Sequence, residues 1–168
     1  MLKSRNKNVY RISLVVFAAI ACIGNDALSQ FGSDSHTITV VVQQITRVQA
    51  SVGFLTMQVT SANGVAGQDL LTVTNQSSTF FWGTNVSTMK ATVRTNLLVQ
   101  VYTLKVKATN ATVGTPSPEV TLTTTSTDFL RDIGRTSGTC TIFYTGVASA
   151  QNPSGSDAHT ITFTITAQ

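Results

Sequence analysis

Both histidines of the chain, His36 and His159, follow an aspartate by two positions, in the near-identical stretches GSDSHTIT and GSDAHTIT. On a β-strand, Asp34 and His36 would share one face, as would Asp157 and His159, and carboxylate and imidazole groups are ligands for zinc. If the two stretches paired side by side, four ligands would converge. The alternative is that each stretch turns the chain into a strand, with its aspartate bonded to nearby backbone. We adopt this alternative and predict no metal site.

Other catalytic groups are scarce. Glu119 is the only glutamate and lies beside two prolines in a predicted loop, so we expect no pair of carboxylates across a cleft, as a glycosidase requires. Cys140 alternates with strand-like residues in GTCTIFY and is interpreted as a small buried residue, since a nucleophile would need a base and an orienting partner. No G-x-S-x-G motif occurs, and no glycine-rich turn leads into a helix. We therefore predict a protein that is not an enzyme and has no cofactor.

The amino-terminal residues have the pattern of a secretory signal peptide. Its basic part contains Lys3, Arg5, Lys7 and Arg11. The apolar run ISLVVFAAIACIG follows, and Ala27 and Ser29 are the small residues expected before a cleavage site. The run is shorter than the roughly 20 residues of a transmembrane helix. We predict that residues 1–29 are removed and that residues 30–168 form a secreted domain, extracellular, at the cell surface or periplasmic, without a transmembrane segment. A lipid anchor at Cys22 is the alternative.

Removal of this leader changes the charge of the chain. The whole chain has a formal net charge of +4, but four basic residues and one acidic residue lie in the leader, which leaves +1. A charge this close to zero does not support nucleic-acid binding, and we predict no nucleic-acid partner. Because Cys22 also lies in the leader, Cys140 would have no partner for an intrachain disulfide, and the domain must rely on its core.

Alternation of apolar and polar residues predicts an all-β fold. It is clearest in TITFTIT near the end of the chain, where the Ile and Phe side chains point one way and the Thr side chains the other. Similar stretches, separated by loops rich in Gly, Asn, Ser and Pro, span 36–48, 53–60, 69–75, 89–95, 98–108, 118–125 and 138–148. About eight such strands predict a single antiparallel β-sandwich, Ig-like or jelly-roll-like. The stretch STDFLRDIG is the exception, predicted as one helical turn that connects the sheets.

The same alternation predicts which side chains form the core. Its members are Ile38, Val40, Val42, Leu55, Met57, Val59, Leu71, Val73, Val93, Tyr102, Leu104, Val106, Val120, Leu122, Ile142, Tyr144, Ile161, Phe163 and Ile165. The first three belong to the stretch 36–48, which is therefore predicted as a core strand.

Three consecutive aromatic residues, Phe80, Phe81 and Trp82, interrupt the alternation. In one interpretation they form, with Asn85, an exposed surface on which a sugar ring stacks, as in carbohydrate-binding modules. In the other, Trp82 closes one end of the sandwich and its neighbours alternate between inside and outside. Asn85 also lies in one of three matches to the N-glycosylation motif, at Asn75, Asn85 and Asn110.

The repeated motif near the two ends of the chain suggests that copies of the protein associate with one another. Strands of near-identical sequence fit the same neighbours, because cross-strand pairs and pockets determine which strand pairs where. The first strand of one copy could therefore take the place of the last strand in another copy, or extend beside it. The residues that we predict for this self-association are His36, Ile38, Val40, His159, Ile161 and Phe163.

The leader, the Thr-rich alternating strands and the closing HTITFTIT strand resemble bacterial secreted β-sandwich subunits of the fimbrial and spore-coat type. The resemblance is one of architecture and implies no particular site residue. Together these observations predict a secreted structural or surface-interaction protein, a self-associating subunit of a fibre, coat or extracellular matrix. The alternative is a carbohydrate-binding or adhesin-like module that binds a glycan or another surface protein through the region from Phe80 to Asn85.

Overall fold

The computed structural model describes residues 36–168, so the predicted signal peptide, Cys22 and Asp34 lie outside the described residues. Residues 36–168 contain nine β-strands, one 3-10 turn at Ser61–Asn63 and no α-helix. The strands are β1 (Thr46–Ala50), β2 (Leu70–Thr84), β3 (Met89–Thr95), β4 (Thr103–Thr109), β5 (Thr115–Pro116), β6 (Val120–Thr121), β7 (Thr127–Ile133), β8 (Thr136–Ser149) and β9 (Ile161–Ala167).

The strands form two antiparallel sheets. One contains five strands in the order β1-β2-β8-β4-β6, and the other contains four in the order β5-β7-β3-β9. This arrangement confirms the predicted all-β sandwich, with nine strands rather than about eight.

The long central pair of β2 and β8 contains an irregularity at a place where the sequence predicts a loop. Register shifts by one residue between Asn75 and Ser78, where a β-bulge places an extra residue on β2. The Asn75 carboxamide oxygen accepts hydrogen bonds from the backbone N–H and the hydroxyl of Ser77, at 2.9 and 2.8 Å. On a regular strand, Val73 and Phe80 would face opposite sides of the sheet, because they are separated by an odd number of positions. The extra residue in the bulge shifts the alternation by one, so both face the same side.

Aromatic rings occupy the centre of the core. The Phe80 ring stacks on Trp82 at 5.7 Å between centroids and meets Phe129 edge-on at 5.8 Å. Phe163 of β9 lies 5.1 Å from Phe80 and 5.0 Å from Phe129. On β8, Gly138 lies directly opposite Trp82, and a β-carbon built there would come within 2.4 Å of the indole ring. The ring therefore occupies the space that a side chain at residue 138 would need.

The prediction of a core strand over residues 36–48 is wrong for its first ten residues. Residues 36–45 are in no strand, and Ile38, Val40 and Val42 are 74, 81 and 68% exposed. Pairing begins only at Ile45, which is hydrogen-bonded to Asn85. The neighbouring strand β2 ends at Thr84, and its regular pairing with β1 begins at Thr46.

The stretch 53–60 also differs from its prediction. Leu55, Met57 and Val59 are half-buried and their neighbours exposed, as the alternation predicted, and Leu55 and Met57 pack against the core. The segment is nevertheless extended chain without a ladder of hydrogen bonds. Alternation indicates which side of a segment is buried, and it does not indicate whether another strand lies beside it.

The predicted helical turn in STDFLRDIG is wrong, because this stretch is strand β7. Its pairing with β3 shifts register between Met89 and Ala91 and again before Thr92. These irregularities allow the consecutive residues Phe129 and Leu130 both to be buried. Two adjacent buried residues break the period of two that identifies a strand.

Candidate functional site

Strand β9 lies at one edge of the four-stranded sheet and pairs only with β3. The backbone N–H of Gln168 donates to the carbonyl of Thr88 at 3.0 Å. This bond shows which residues of β9 direct their backbone groups toward β3. In an antiparallel pair, alternate residues direct both backbone groups to the same side. The residues whose N–H and C=O point away from β3 are therefore Ile161, Phe163, Ile165 and Ala167. Within residues 36–168 none of these groups has a backbone partner on that side.

The same residues direct their side chains into the sandwich. Ile161, Phe163 and Ile165 pack against the core but remain partly accessible, whereas Val93 of the adjacent strand β3 is 1% exposed. The core is therefore less completely covered at β9 than one strand further in. A strand placed beside β9 would bond to its free backbone groups and cover these apolar side chains at once.

The opposite side of the sandwich is built differently. The sheets end there in the two-residue strands β5 and β6, and β5 contains Pro116. Short edge strands and prolines are devices that prevent a sheet from pairing with another chain. Strand β9 has seven residues, ITFTITA, with no lysine, no proline and an uninterrupted register. The strands β5 and β6 thus have features that hinder pairing with another chain, and β9, which lies near the edge strand β1 of the other sheet, has none of them.

The entry to β9 is held by the second copy of the repeated motif. The Asp157 carboxylate accepts the backbone N–H groups of Val101 and Tyr102 at 2.8 and 2.9 Å. The His159 ring lies 3.1 Å from the Thr95 hydroxyl. The predicted bond of Asp157 to its own turn is therefore wrong, because its backbone partners lie in a loop more than fifty residues away in the sequence.

Two further bonds complete this attachment. The Tyr102 hydroxyl donates to the carbonyl of Pro153 at 2.7 Å, and the backbone N–H of Thr160 donates to the Asn96 side chain at 2.7 Å. Burial lowers the pKa of His159, and the nearby Asp157 carboxylate opposes this shift. The neutral imidazole is therefore favoured in the folded protein. No pattern in the sequence identified Asn96 or Tyr102 as partners, because they are brought to the motif by the path of the β3–β4 loop.

The first copy of the motif lies in a different environment. Of its residues, those from His36 onward are described, and they are exposed and outside any strand. The alternation of Ile38, Val40 and Val42 is thus present in residues that belong to no strand. The two copies are alike in sequence but differ in structure, since one enters a sheet and the other does not.

The three consecutive aromatic residues alternate between the two sides of β2. Phe80 and Trp82 are buried, at 0 and 4% exposure, and Phe81 is 42% exposed on the outer face of the five-stranded sheet. The predicted alternation between inside and outside is confirmed for these residues, and a platform that includes Phe80 and Trp82 is wrong, because both rings are in the core. Asn85 also serves the fold: its side chain accepts the Ile45 N–H and donates to the Gln43 carbonyl, at 2.8 and 2.7 Å.

Cys140 and the potential metal ligands are the remaining groups that could do chemistry. Cys140 is buried, and burial raises the pKa of its thiol to about 12, which disfavours the reactive thiolate. Residues 36–168 contain no group of three or more potential metal ligands. Asp34 lies outside this range, so the four-ligand arrangement is described only in part. In the same part of the chain no helix has the length and apolar character needed to cross a membrane.

Comparison of the chain with protein-family models, curated proteins and solved structures finds no match. The candidate functions below therefore rest on the geometry of β9 and of the sheet faces.

Proposed function

We propose that this protein is a secreted structural subunit that associates with further copies of itself through the free edge of β9. The observation that carries the proposal is the asymmetry between the two sides of the sandwich. Short strands and Pro116 protect one side, whereas β9 offers seven unprotected residues above a partly covered core. An exposed edge of this kind is a template for another strand.

The segment that pairs with β9 is residues 36–43 of a second copy. Its exposed residues Ile38, Val40 and Val42 have the spacing of two that places them on one side of a strand. Beside β9 they would extend the apolar row of Ile161 and Phe163. Each copy contributes one such segment and one such edge, so the contact is head-to-tail and can continue from copy to copy. Repetition of this contact from copy to copy would build a fibre, coat or matrix.

Size-exclusion chromatography with light scattering tests the proposal on the purified protein. We expect the wild type to form oligomers as its concentration rises, and Ile38→Lys with Val40→Lys to remain monomeric with an unchanged melting temperature. Leu98→Lys with Val99→Lys is the matched control, because these loop residues are 80 and 78% exposed. This variant should associate like the wild type.

The acceptor edge is tested by Thr164→Lys, which adds a charge to the exposed face of β9, with Thr72→Lys on the other sheet as its control. We expect only Thr164→Lys to prevent association. A wild type that is strictly monomeric at millimolar concentration would refute the proposed function. So would an Ile38→Lys and Val40→Lys double variant that associates normally.

A further inference from the structure

Gly83 occupies an unusual position on strand β2. Glycine inside a strand weakens it, and it commonly marks a bulge, a tight bend or the close approach of another group. Its neighbours on either side pair in regular register, Arg47 on β1 and Ser137 on β8, so there is no bulge. Gly83 is not among the glycines with positive φ, which among the described residues are Gly67 and Gly114.

Close packing within the protein does not explain Gly83 either. A β-carbon built there has a single neighbour within 4 Å, the Ser137 β-carbon at 3.9 Å, which is an ordinary contact. At Gly138, by contrast, the Trp82 ring would be 2.4 Å away. The fold therefore requires glycine at 138 and does not require it at 83. The space above Gly83 is left open on the outer face of the sheet.

The residues around this space have the chemistry of a binding site. Phe81, the next residue on the same face of β2, is exposed by 42%. Gln49 lies directly opposite Phe81, and Arg47 directly opposite Gly83, so all share this face. A shallow concavity of about 570 Å³ is lined by these residues together with Thr46, Val48 and Trp82. An aromatic ring beside an amide and a guanidinium is an arrangement suited to a sugar ring.

The charge of the site indicates what kind of sugar. The single ion pair between side chains in the described part of the chain joins Lys90 and Asp128, on the other sheet. Arg47 therefore has no acidic partner within residues 36–168. A guanidinium pairs most strongly with a planar carboxylate, which it can bind through two parallel hydrogen bonds.

We propose that the outer face around Phe81 and Gly83 binds a uronic acid residue of an acidic polysaccharide. The sugar ring stacks on Phe81 over the open space at Gly83, and its carboxylate pairs with Arg47. Gln49 and the Thr139 hydroxyl, which flank Phe81 on the two neighbouring strands, bind sugar hydroxyls. This site is on the five-stranded sheet and does not depend on association through β9.

Titration with tetragalacturonic acid, followed by heteronuclear NMR and calorimetry, tests the site. We expect binding that shifts the backbone signals of Arg47, Gln49 and Phe81. The fully methyl-esterified tetramer has the same rings without the charge, and we expect it to bind at least tenfold more weakly. Phe81→Ala should reduce affinity at least tenfold, and Arg47→Gln should abolish the difference between the acid and its ester.

Two further variants separate binding from folding. Gly83→Thr fills the open space and should abolish binding without lowering the melting temperature. Phe54→Ala removes an aromatic side chain that is 87% exposed elsewhere and should bind like the wild type. No binding by the wild type at millimolar ligand, or undiminished binding by Phe81→Ala, would overturn the proposal. Equal affinity for acid and ester would overturn the assignment of a uronic acid.

Discussion

Substitution of Gly138 by alanine is expected to be among the most damaging small changes in this protein. The new methyl group would lie 2.4 and 2.7 Å from two carbons of the Trp82 ring. The ring cannot easily move, since it is 4% exposed and stacks on Phe80. Overpacking of a core typically costs about 1–3 kcal/mol. Because a rigid ring rather than a flexible chain end must shift, we expect a loss of about 3 kcal/mol, at the upper end of this range.

The matched control is Gly83→Ala, at the adjacent position of the sheet but on its other face. Its β-carbon would meet only Ser137, at 3.9 Å. Alanine is favoured over glycine in a strand interior by about 0.5–1 kcal/mol, so this variant should be as stable as the wild type or slightly more so. The two substitutions add the same methyl group, and only Gly138→Ala is expected to lower stability.

Urea unfolding followed by the fluorescence of Trp82, the single tryptophan, measures both effects. A loss of 3 kcal/mol would also lower the melting temperature by about 10 °C for a domain of this size. The reasoning would be refuted if Gly138→Ala were as stable as the wild type, or if both variants lost the same free energy. Either result would mean that the Trp82 ring does not lie over residue 138.

Three more predictions concern single groups. Asp157→Ala should lower the free energy of unfolding by about 2 kcal/mol, because it removes a charged acceptor from the N–H groups of Val101 and Tyr102. Urea unfolding measures this loss, and we expect Asp157→Asn to lose less free energy than Asp157→Ala. The pKa of His159 is lowered in the folded state. The contribution of His159 to stability is therefore present above its pKa in the unfolded chain, about 6.5, and is lost as pH falls. We expect the free energy of unfolding, measured from pH 8 to 5, to decline less in His159→Gln than in the wild type. Cys140, with a pKa raised to about 12, should react with a thiol reagent only in urea, and fast labelling of the native protein would contradict its burial.

The sequence predicted the fold class because its strands alternate so regularly. The stretch 89–95 coincides with β3, and the prediction for TITFTIT matches β9 within one residue. Both strands have small or apolar residues on one side and polar residues on the other, without interruption. Where alternation is interrupted, prediction fails: the sequence after Asn75 indicates a loop where β2 has a bulge, and the sequence around the adjacent buried pair Phe129 and Leu130 indicates a helical turn.

The candidate surfaces were less predictable than the fold. Sequence alone could not show that β9 lies at an edge, because strand order depends on which distant segments pair. It singles out three consecutive aromatic residues, but it could not separate the exposed Phe81 from the buried Phe80 and Trp82 until the face of each residue was known. The importance of Gly83 depends entirely on what surrounds its backbone, and its environment is not encoded in its immediate neighbours along the chain.

The pairing of β3 with β9 has a consequence for the order of events during synthesis. Thr92 and Thr164 bond across 72 residues, so β3 leaves the ribosome long before the strand that completes its sheet. Until β9 arrives, an inner strand is temporarily an edge, and closing so long a loop is slow compared with forming local hairpins. The four-stranded sheet is therefore expected to close late, after β9 has been synthesised, and β3 has a free edge until then.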